Sequence, residues 1–108
     1  MARLRTDLWV AAYLRQRATL NIPAVLRRRG AAEAGAVFIK VDRLDGRARL
    51  YAPAPPSLEE DGQPRRFALL SEADPASIED RVAREIGFDS DLWLVEVDDR
   101  TGDHGAPD

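Results

Sequence analysis

The sequence predicts an α+β fold: a single domain with a mostly antiparallel sheet of four to five strands and two helices packed on one face. The clearest observation is residues 35–53, where two alternating apolar runs flank an Asp-Gly pair, as is typical of a β-hairpin. Two further segments, near residues 7–19 and 73–88, have helical character. An alternating run at residues 91–97 follows the second helix and supplies a last strand.

Length and composition indicate one folded unit. The chain has 108 residues, of which 44% are hydrophobic and 32% charged, enough for one modest core. We expect the domain to span residues 1–100 and a flexible polar tail to follow at residues 101–108. The proline-rich acidic stretch at residues 53–64 is expected to form a surface loop.

The first helix is predicted to begin at Thr6 or Asp7, either of which can cap its N-terminus, and to end before Asn21 and Pro23. Its apolar residues point nearly all round, which indicates burial on more than one side. Residues 24–29 are predicted to form the first strand.

The second half of the chain has stronger local signals. Residues 65–70 suit a short strand, and Asp74 is a natural N-cap with Pro75 at the first helical position. The helix then has one apolar stripe, and the last strand has one apolar face. These are Ile78, Val82 and Ile86 in the helix, and Trp93, Val95 and Val97 in the strand. Because a helix precedes the last strand, this strand can lie parallel to a neighbour.

Missing residue types and segments exclude several classes of protein. The absence of cysteine rules out disulfides, thiolate nucleophiles and cysteine metal sites, and it suits a reducing cytosol. The apolar run at residues 8–14 is too short for a signal peptide or a membrane span. We therefore predict a cytoplasmic protein that has no membrane association, no cofactor and no metal site.

The two halves of the chain carry opposite net charge. Residues 1–55 hold 11 basic and 4 acidic side chains, whereas residues 56–108 hold 5 basic and 15 acidic ones. A chain this short folds to a radius of gyration of about 13 Å, comparable with the Debye length, so its two halves lie within electrostatic reach. We predict that at least one of the three arginines at 27–29 meets a carboxylate from residues 72–99.

Arginines on the predicted sheet form a candidate binding surface. Alternation along the first strand would send the middle arginine of the triplet away from its two neighbours, so that the triplet is not a continuous patch. An arginine-bearing sheet face with an aromatic ring could meet phosphates and bases of nucleic acid. Internal ion pairs, or a face for a protein partner, are the competing interpretations. The candidate residues are Arg27, Arg29, Arg47, Arg49 and Tyr51.

Glu96 is the one candidate for acid–base chemistry. Alternation in the last strand places it on the face of Leu92 and Leu94, where a half-buried carboxylate could have a raised pKa. A small enzyme would then use Glu96 with Arg28 or Arg43. The alternative is an inward charge that is paired with an arginine.

The remaining polar candidates have structural explanations. His104, the single histidine, lies in the polar tail and is expected to be solvated. Asp89 with Asp91, and Asp98 with Asp99, could offer oxygens to a hard cation, but neither pair matches the twelve-residue calcium loop. We expect these aspartates to act in caps and turns. Both tryptophans are expected in the core.

Two stretches, "LRTDLWVAAYLRQR" near the start and "FDSDLWLVEVDDRTG" near the end, together resemble domain-of-unknown-function family 1491. Between them "RRRGAAEAGAVFIKV" and "LDGRARLYAPAP" follow in the expected order. The resemblance covers residues 4–102 and implies a small alphaproteobacterial protein. It implies no activity, cofactor or catalytic residue.

Taken together, the missing catalytic set, the divided charge and the aromatic sheet favour a non-catalytic protein-interaction module, which in one version is a homodimer. Two alternatives remain: weak nucleic-acid binding through the arginine-bearing face, and a small enzyme centred on Glu96.

Overall fold

The structure, a computed structural model, describes residues 4–55 and 65–107. Most of the loop predicted at 53–64 therefore lies outside the described residues. The described chain forms two helices and five strands, which confirms the predicted α+β class. In order these are α1 Thr6–Thr19, β1 Ala24–Arg28, β2 Val37–Asp42, β3 Ala48–Pro53, β4 Phe67–Ala73, α2 Pro75–Phe88 and β5 Trp93–Asp98.

The five strands form one sheet in the order β1-β5-β2-β3-β4. Three neighbouring pairs are antiparallel, and only β2 and β5 run parallel. The predicted β-hairpin is present as β2 and β3, and its turn is closed by a hydrogen bond from the Arg43 N–H to the Arg47 carbonyl oxygen, 3.0 Å. The last strand lies parallel to β2 because α2 carries the chain back across the sheet before β5 begins.

The two helices lie on opposite faces of the sheet, so the prediction that both pack on one face is wrong. Val10 and Tyr13 of α1 cover the face that includes Ile39 and Val95, and we call this the α1 face. The second cluster, on the α2 face, contains Phe38, Ala48, Leu50, Leu92 and Leu94 beneath Ile78 and Val82 of α2. The central strands β2 and β5 are buried along most of their length on both faces, so each face requires its own cover.

The helices are held at their N-termini in different ways. As predicted, the Asp74 side chain caps α2 by accepting a hydrogen bond from the Ser77 N–H at 3.1 Å. The N-cap residue of α1 is Arg5, whose side chain makes no capping hydrogen bond, so the prediction of Thr6 or Asp7 at this position is wrong, although the Asp7 carboxylate accepts a hydrogen bond from the Leu8 N–H at 2.8 Å. The Asp7 N–H donates instead to the Ala32 carbonyl oxygen at 2.9 Å, and the Thr6 hydroxyl donates to the Gly35 carbonyl oxygen at 3.0 Å. The loop between β1 and β2 therefore supplies the hydrogen-bond acceptors at the N-terminus of α1.

Residues 102–107 pack against α1 and the sheet and do not extend into solvent as the predicted polar tail would. The Tyr13 hydroxyl donates to the His104 carbonyl oxygen at 2.5 Å, and the Tyr51 hydroxyl donates to the Gly102 carbonyl oxygen at 2.8 Å. Buried tyrosine hydroxyls require hydrogen-bond partners, and this segment supplies its carbonyl groups as the acceptors.

His104 is the clearest departure from the expected solvated tail. Only 1% of its surface is exposed, and its ring meets that of Tyr51 edge-on with centroids 4.4 Å apart. Its Nδ1 accepts a hydrogen bond from the Ala106 N–H at 3.0 Å. Because its neighbours in the sequence are polar, no local pattern predicted that His104 lies in an aromatic cluster.

Within the described residues, neither helix has the length and apolar character that crossing a membrane would demand.

Candidate functional site

At least one arginine of the triplet pairs with carboxylates of the same chain, as predicted. Arg27 makes two parallel hydrogen bonds to Glu79 of α2, at 2.7 and 2.8 Å, and a third to Glu96 of β5 at 2.8 Å. A planar guanidinium matches a carboxylate in this two-point geometry, which orients both side chains. Arg27 is therefore committed to an internal pair.

The other two arginines of the triplet diverge from Arg27. The Arg28 Nη2 donates to the Ser90 carbonyl oxygen at 2.7 Å, and the Arg29 guanidinium lies 5.0 Å from the centre of the Trp93 ring, on the α1 face. Arg28 is paired in register with Leu94, so it lies on the α2 face beside Arg27. The triplet is not a continuous patch, but simple alternation is wrong, because a bulge between residues 26 and 28 shifts the register.

Lys40 is central to the charged group on the α2 face. Only 5% of its surface is exposed, and its Nζ lies 2.6 Å from a Glu79 oxygen and 3.6 Å from a Glu96 oxygen. We call Arg27, Lys40, Glu79 and Glu96 the ionic cluster. Sequence reasoning found Arg27 and Glu96 and placed Glu79 among the possible carboxylate partners, but it missed Lys40. The available signal was a single lysine inside the apolar run of β2, since a buried ammonium needs a carboxylate partner.

The ionic cluster favours its charged state. The Arg27 guanidinium, despite partial burial, lowers the pKa of Glu79 to about 2, with Lys40 contributing. Glu96 does lie on the predicted face, but it is tied to Arg27 and Lys40. Arg43, a proposed catalytic partner of Glu96, is paired with Glu72 instead, at 3.1 Å. Both carboxylates of the ionic cluster are therefore engaged by Arg27 and Lys40, as in a structural ion network.

Three carboxylates lie together at the end of the ionic cluster. Oxygens of Asp42, Glu96 and Asp98 come within 4.8 Å of one another. Burial, with help from the Asp42 carboxylate, raises the pKa of Asp98 above its ordinary value. Oxygen ligands of this kind suit a hard cation, but the nearby Lys40 ammonium already supplies positive charge to the group. The pair formed by Asp89 and Asp91 has the expected turn role, through an N–H to carboxylate bond of 2.9 Å.

The remaining arginine candidates do not join Arg27 on one surface. Arg49 lies on the α1 face, where it contacts Glu72 at 3.1 Å and donates to the Tyr51 hydroxyl at 3.2 Å. Tyr51 itself is buried, so its ring is not available to stack on a base. Arg47 is exposed in the turn before β3. The five residues predicted to bind nucleic acid are thus divided between two faces and a turn.

The edge of the sheet at β1 is the most open apolar feature near this cluster. Val25 and Leu26 are 57% and 40% exposed although both belong to a strand. Val25 is paired with Glu96 and Leu26 with Val95, so the two side chains point to opposite faces. The outer side of β1 has no strand partner within the described residues.

Comparison with known proteins identifies relatives but no chemistry. The sequence profile of the DUF1491 family, described as a protein of unknown function, matches residues 4–106. A crystal structure of a DUF1491 family protein from Caulobacter crescentus is 35% identical, with a TM-score of 0.78, and covers 96% of this chain and 95% of that one. A solution structure of an Agrobacterium tumefaciens protein is 36% identical, with a TM-score of 0.77, and covers 89% and 86%. No curated protein matches the sequence.

Proposed function

The chain belongs to the DUF1491 family, as its sequence predicted, and we propose that it is a non-catalytic module that binds other proteins through the open edge of β1. The observation that carries the proposal is the exposure of Val25 and Leu26 on opposite faces of one edge strand. A purely structural strand would bury one of these faces. An added strand would cover both side chains and pair the free main-chain groups of the edge.

The other edge of the sheet lacks this character. In β4, Leu69 is exposed, but Phe67 is buried on the α1 face and Leu70 packs against the α2-side cluster. β4 therefore has the half-covered pattern of an ordinary edge strand. The two-sided apolar exposure distinguishes β1 from β4.

The charge beside β1 indicates the partner's chemistry. Arg27 is neutralised by the ionic cluster, but Arg29, which follows the strand, makes no ion pair with any described residue. We propose that the partner is an extended segment with alternating apolar residues and an acidic residue that reaches Arg29. Electrostatic complementarity of this kind adds specificity and speeds encounter. We place this interaction in the bacterial cytoplasm, which suits a chain without cysteine.

Selection from a displayed peptide library tests the proposal. We expect enriched peptides to alternate apolar residues and carry acidic ones, and amide shifts on titration to concentrate at residues 24–29. The Leu26→Lys variant should weaken binding at least about tenfold. Leu69→Lys on β4 is the matched control, since Leu69 is similarly exposed, and it should bind normally.

A second copy of the chain is the alternative occupant of the same edge. Sedimentation at up to about 1 mM protein would reveal a dimer that Leu26→Lys dissociates and Leu69→Lys does not. The interaction proposal fails if the chain is monomeric and no peptide is enriched. It fails equally if bound peptides perturb residues away from β1 or bind Leu26→Lys as they bind the wild type.

A further inference from the structure

A groove on the α1 face lies between the helix and the C-terminal segment. It is open to solvent, has a volume of about 430 Å³ and is lined by Trp9, Ala12, Tyr13 and Gln16 of α1 together with residues 105–107. Its walls are aromatic or aliphatic apart from Gln16 and the main chain. The rings of Trp9 and Tyr13 stack at 5.1 Å with 9° between their planes, and together they form the aromatic side of the groove. This groove is separate from the β1 edge.

A buried arginine adjoins the groove. Only 5% of the surface of Arg17 is exposed, and its Nε has no hydrogen-bond partner. Its Cζ lies 5.5 Å from the centre of the Tyr13 ring, so that Trp9, Tyr13 and Arg17 form one row at four-residue spacing along α1. The guanidinium also touches the backbone of Gly105, where an added Cβ would overlap its Nη1.

The charge of Arg17 is not balanced within the described residues. No carboxylate in that part of the chain lies within ion-pair distance of its guanidinium. The nearby Asp103 carboxylate accepts a hydrogen bond from the Gly105 N–H, and Asp99 accepts one from Thr101. Burying an unpaired charge is costly, and the contact with Tyr13 offsets only part of that cost. An anion held near Gly105 would supply the missing balance.

We propose that this groove binds a small organic carboxylate with a planar apolar body. The body would lie against Trp9 and Tyr13, and the carboxylate would lie at the Gly105 end, toward Arg17. A single guanidinium in an apolar setting suits a monoanionic carboxylate, whose two oxygens match its fork of donors. A phosphate dianion would need more donors than the groove offers. Gly105 has no side chain, which lets the Arg17 guanidinium pack directly against the segment that lines the groove.

Amide and indole chemical shifts, recorded while benzoate is titrated into the full chain, test this inference. We expect saturable shifts at residues 105–106 and at the Trp9 indole. Benzamide, which has the same shape without the charge, should bind at least about tenfold more weakly. Arg17→Gln should reduce benzoate affinity by a similar factor. Arg15→Gln, an exposed neighbour on the same helix, is the matched control and should leave affinity unchanged.

A second variant covers the case in which Arg17→Gln fails to fold. Ala12→Leu fills the groove from an exposed position without touching Arg17, and it should also abolish the benzoate shifts. The inference is overturned by the absence of saturable shifts up to about 10 mM benzoate. Equal binding of benzamide, or benzoate affinity retained in the folded variants, overturns it as well. None of these results bears on the β1 edge, so the two proposals can fail separately.

Discussion

The two faces of the sheet are covered by different means. On the α2 face one helix with a single apolar stripe covers the strands, and the ionic cluster closes the side nearest β1. On the α1 face the cover is assembled from α1, the loop between β1 and β2, and residues 102–107. The helix that covers the α2 face is thus determined mainly by local sequence, although the ionic cluster beside it joins side chains that are 39 to 69 positions apart. The cover of the α1 face consists of segments that meet only in the folded chain.

Long-range hydrogen bonds connect the pieces of the α1 cover. The Tyr13 hydroxyl bonds to a residue 91 positions away, and the Trp93 indole N–H donates to the Ala31 carbonyl oxygen 62 positions away, at 2.7 Å. The cap of α2, in contrast, spans three residues. A substitution in one piece of the α1 cover should therefore also destabilise the other pieces. A substitution in α2 should affect mainly its immediate surroundings.

The largest expected effect comes from Gly30→Ala, in the loop that supports α1. A Cβ at Gly30 would overlap the Asp91 carbonyl oxygen and lie 2.6 Å from the Leu92 carbonyl carbon, and backbone cannot move aside cheaply. We expect the free energy of unfolding to fall by about 3 kcal/mol or more, measured by urea denaturation. Gly87→Ala on α2 meets nothing within 4 Å and should instead stabilise the protein by about 0.5–1 kcal/mol. Equal effects from the two substitutions would contradict the comparison.

An intermediate effect is expected from Tyr13→Phe. The substitution leaves the His104 carbonyl oxygen without its donor and should cost about 1–2 kcal/mol. Because residues 102–107 are held as a unit, exchange of the Phe67 amide, which donates to the Pro107 carbonyl oxygen, should accelerate. Amide exchange in β5 should change only as far as global stability does. If Phe67 exchanges no faster than β5 predicts, the segment is not anchored by Tyr13.

The smallest effect on the free energy of unfolding is expected on the α2 face, when the pH is lowered. The pKa of Glu79 is about 2 in the folded chain and 4.5 when the chain is unfolded. The stabilising contribution of Glu79 is therefore complete above about pH 4.5 and is lost as the pH falls toward 2. Because Glu79 is 38% exposed, solvent screening limits this contribution to about 1 kcal/mol. Between pH 6 and pH 3 the wild type should lose about 0.6 kcal/mol more stability than Glu79→Gln, because pH 3 lies part-way between the two pKa values. Glu85→Gln, which removes only a pair within α2, should follow the wild type.

The contrast between the faces also explains what the sequence could predict. The cap and stripe of α2, the β-hairpin and the apolar face of β5 depend on neighbouring residues, and each was predicted with nearly correct bounds. The side of the sheet that each helix covers depends on the path of the chain between strands, which no local pattern encodes. The burial of His104 likewise depends on two distant tyrosines that need hydrogen-bond acceptors.

The candidate sites divide in the same way. Opposite charge in the two halves predicted an internal partner for the arginine triplet, and the alternation of β5 predicted the face of Glu96. The bulge in β1 was not predictable, and it moved Arg28 to the face of Arg27. The row formed by Trp9, Tyr13 and Arg17 is visible as a spacing of four in the sequence. Its significance required the backbone of Gly105, which is brought to it only by folding.

The parallel pairing of β2 with β5 has a consequence for synthesis of the protein on the ribosome. About 50 residues separate the two strands, and β5 lies between β1 and β2 in the sheet. At ordinary translation rates β2 is made about 3–10 s before β5, so the edge of β2 that pairs with β5 stays open during that interval. Nascent chains must therefore wait, exposed to chaperones and to one another, until residues 93–98 emerge from the exit tunnel and complete the centre of the sheet.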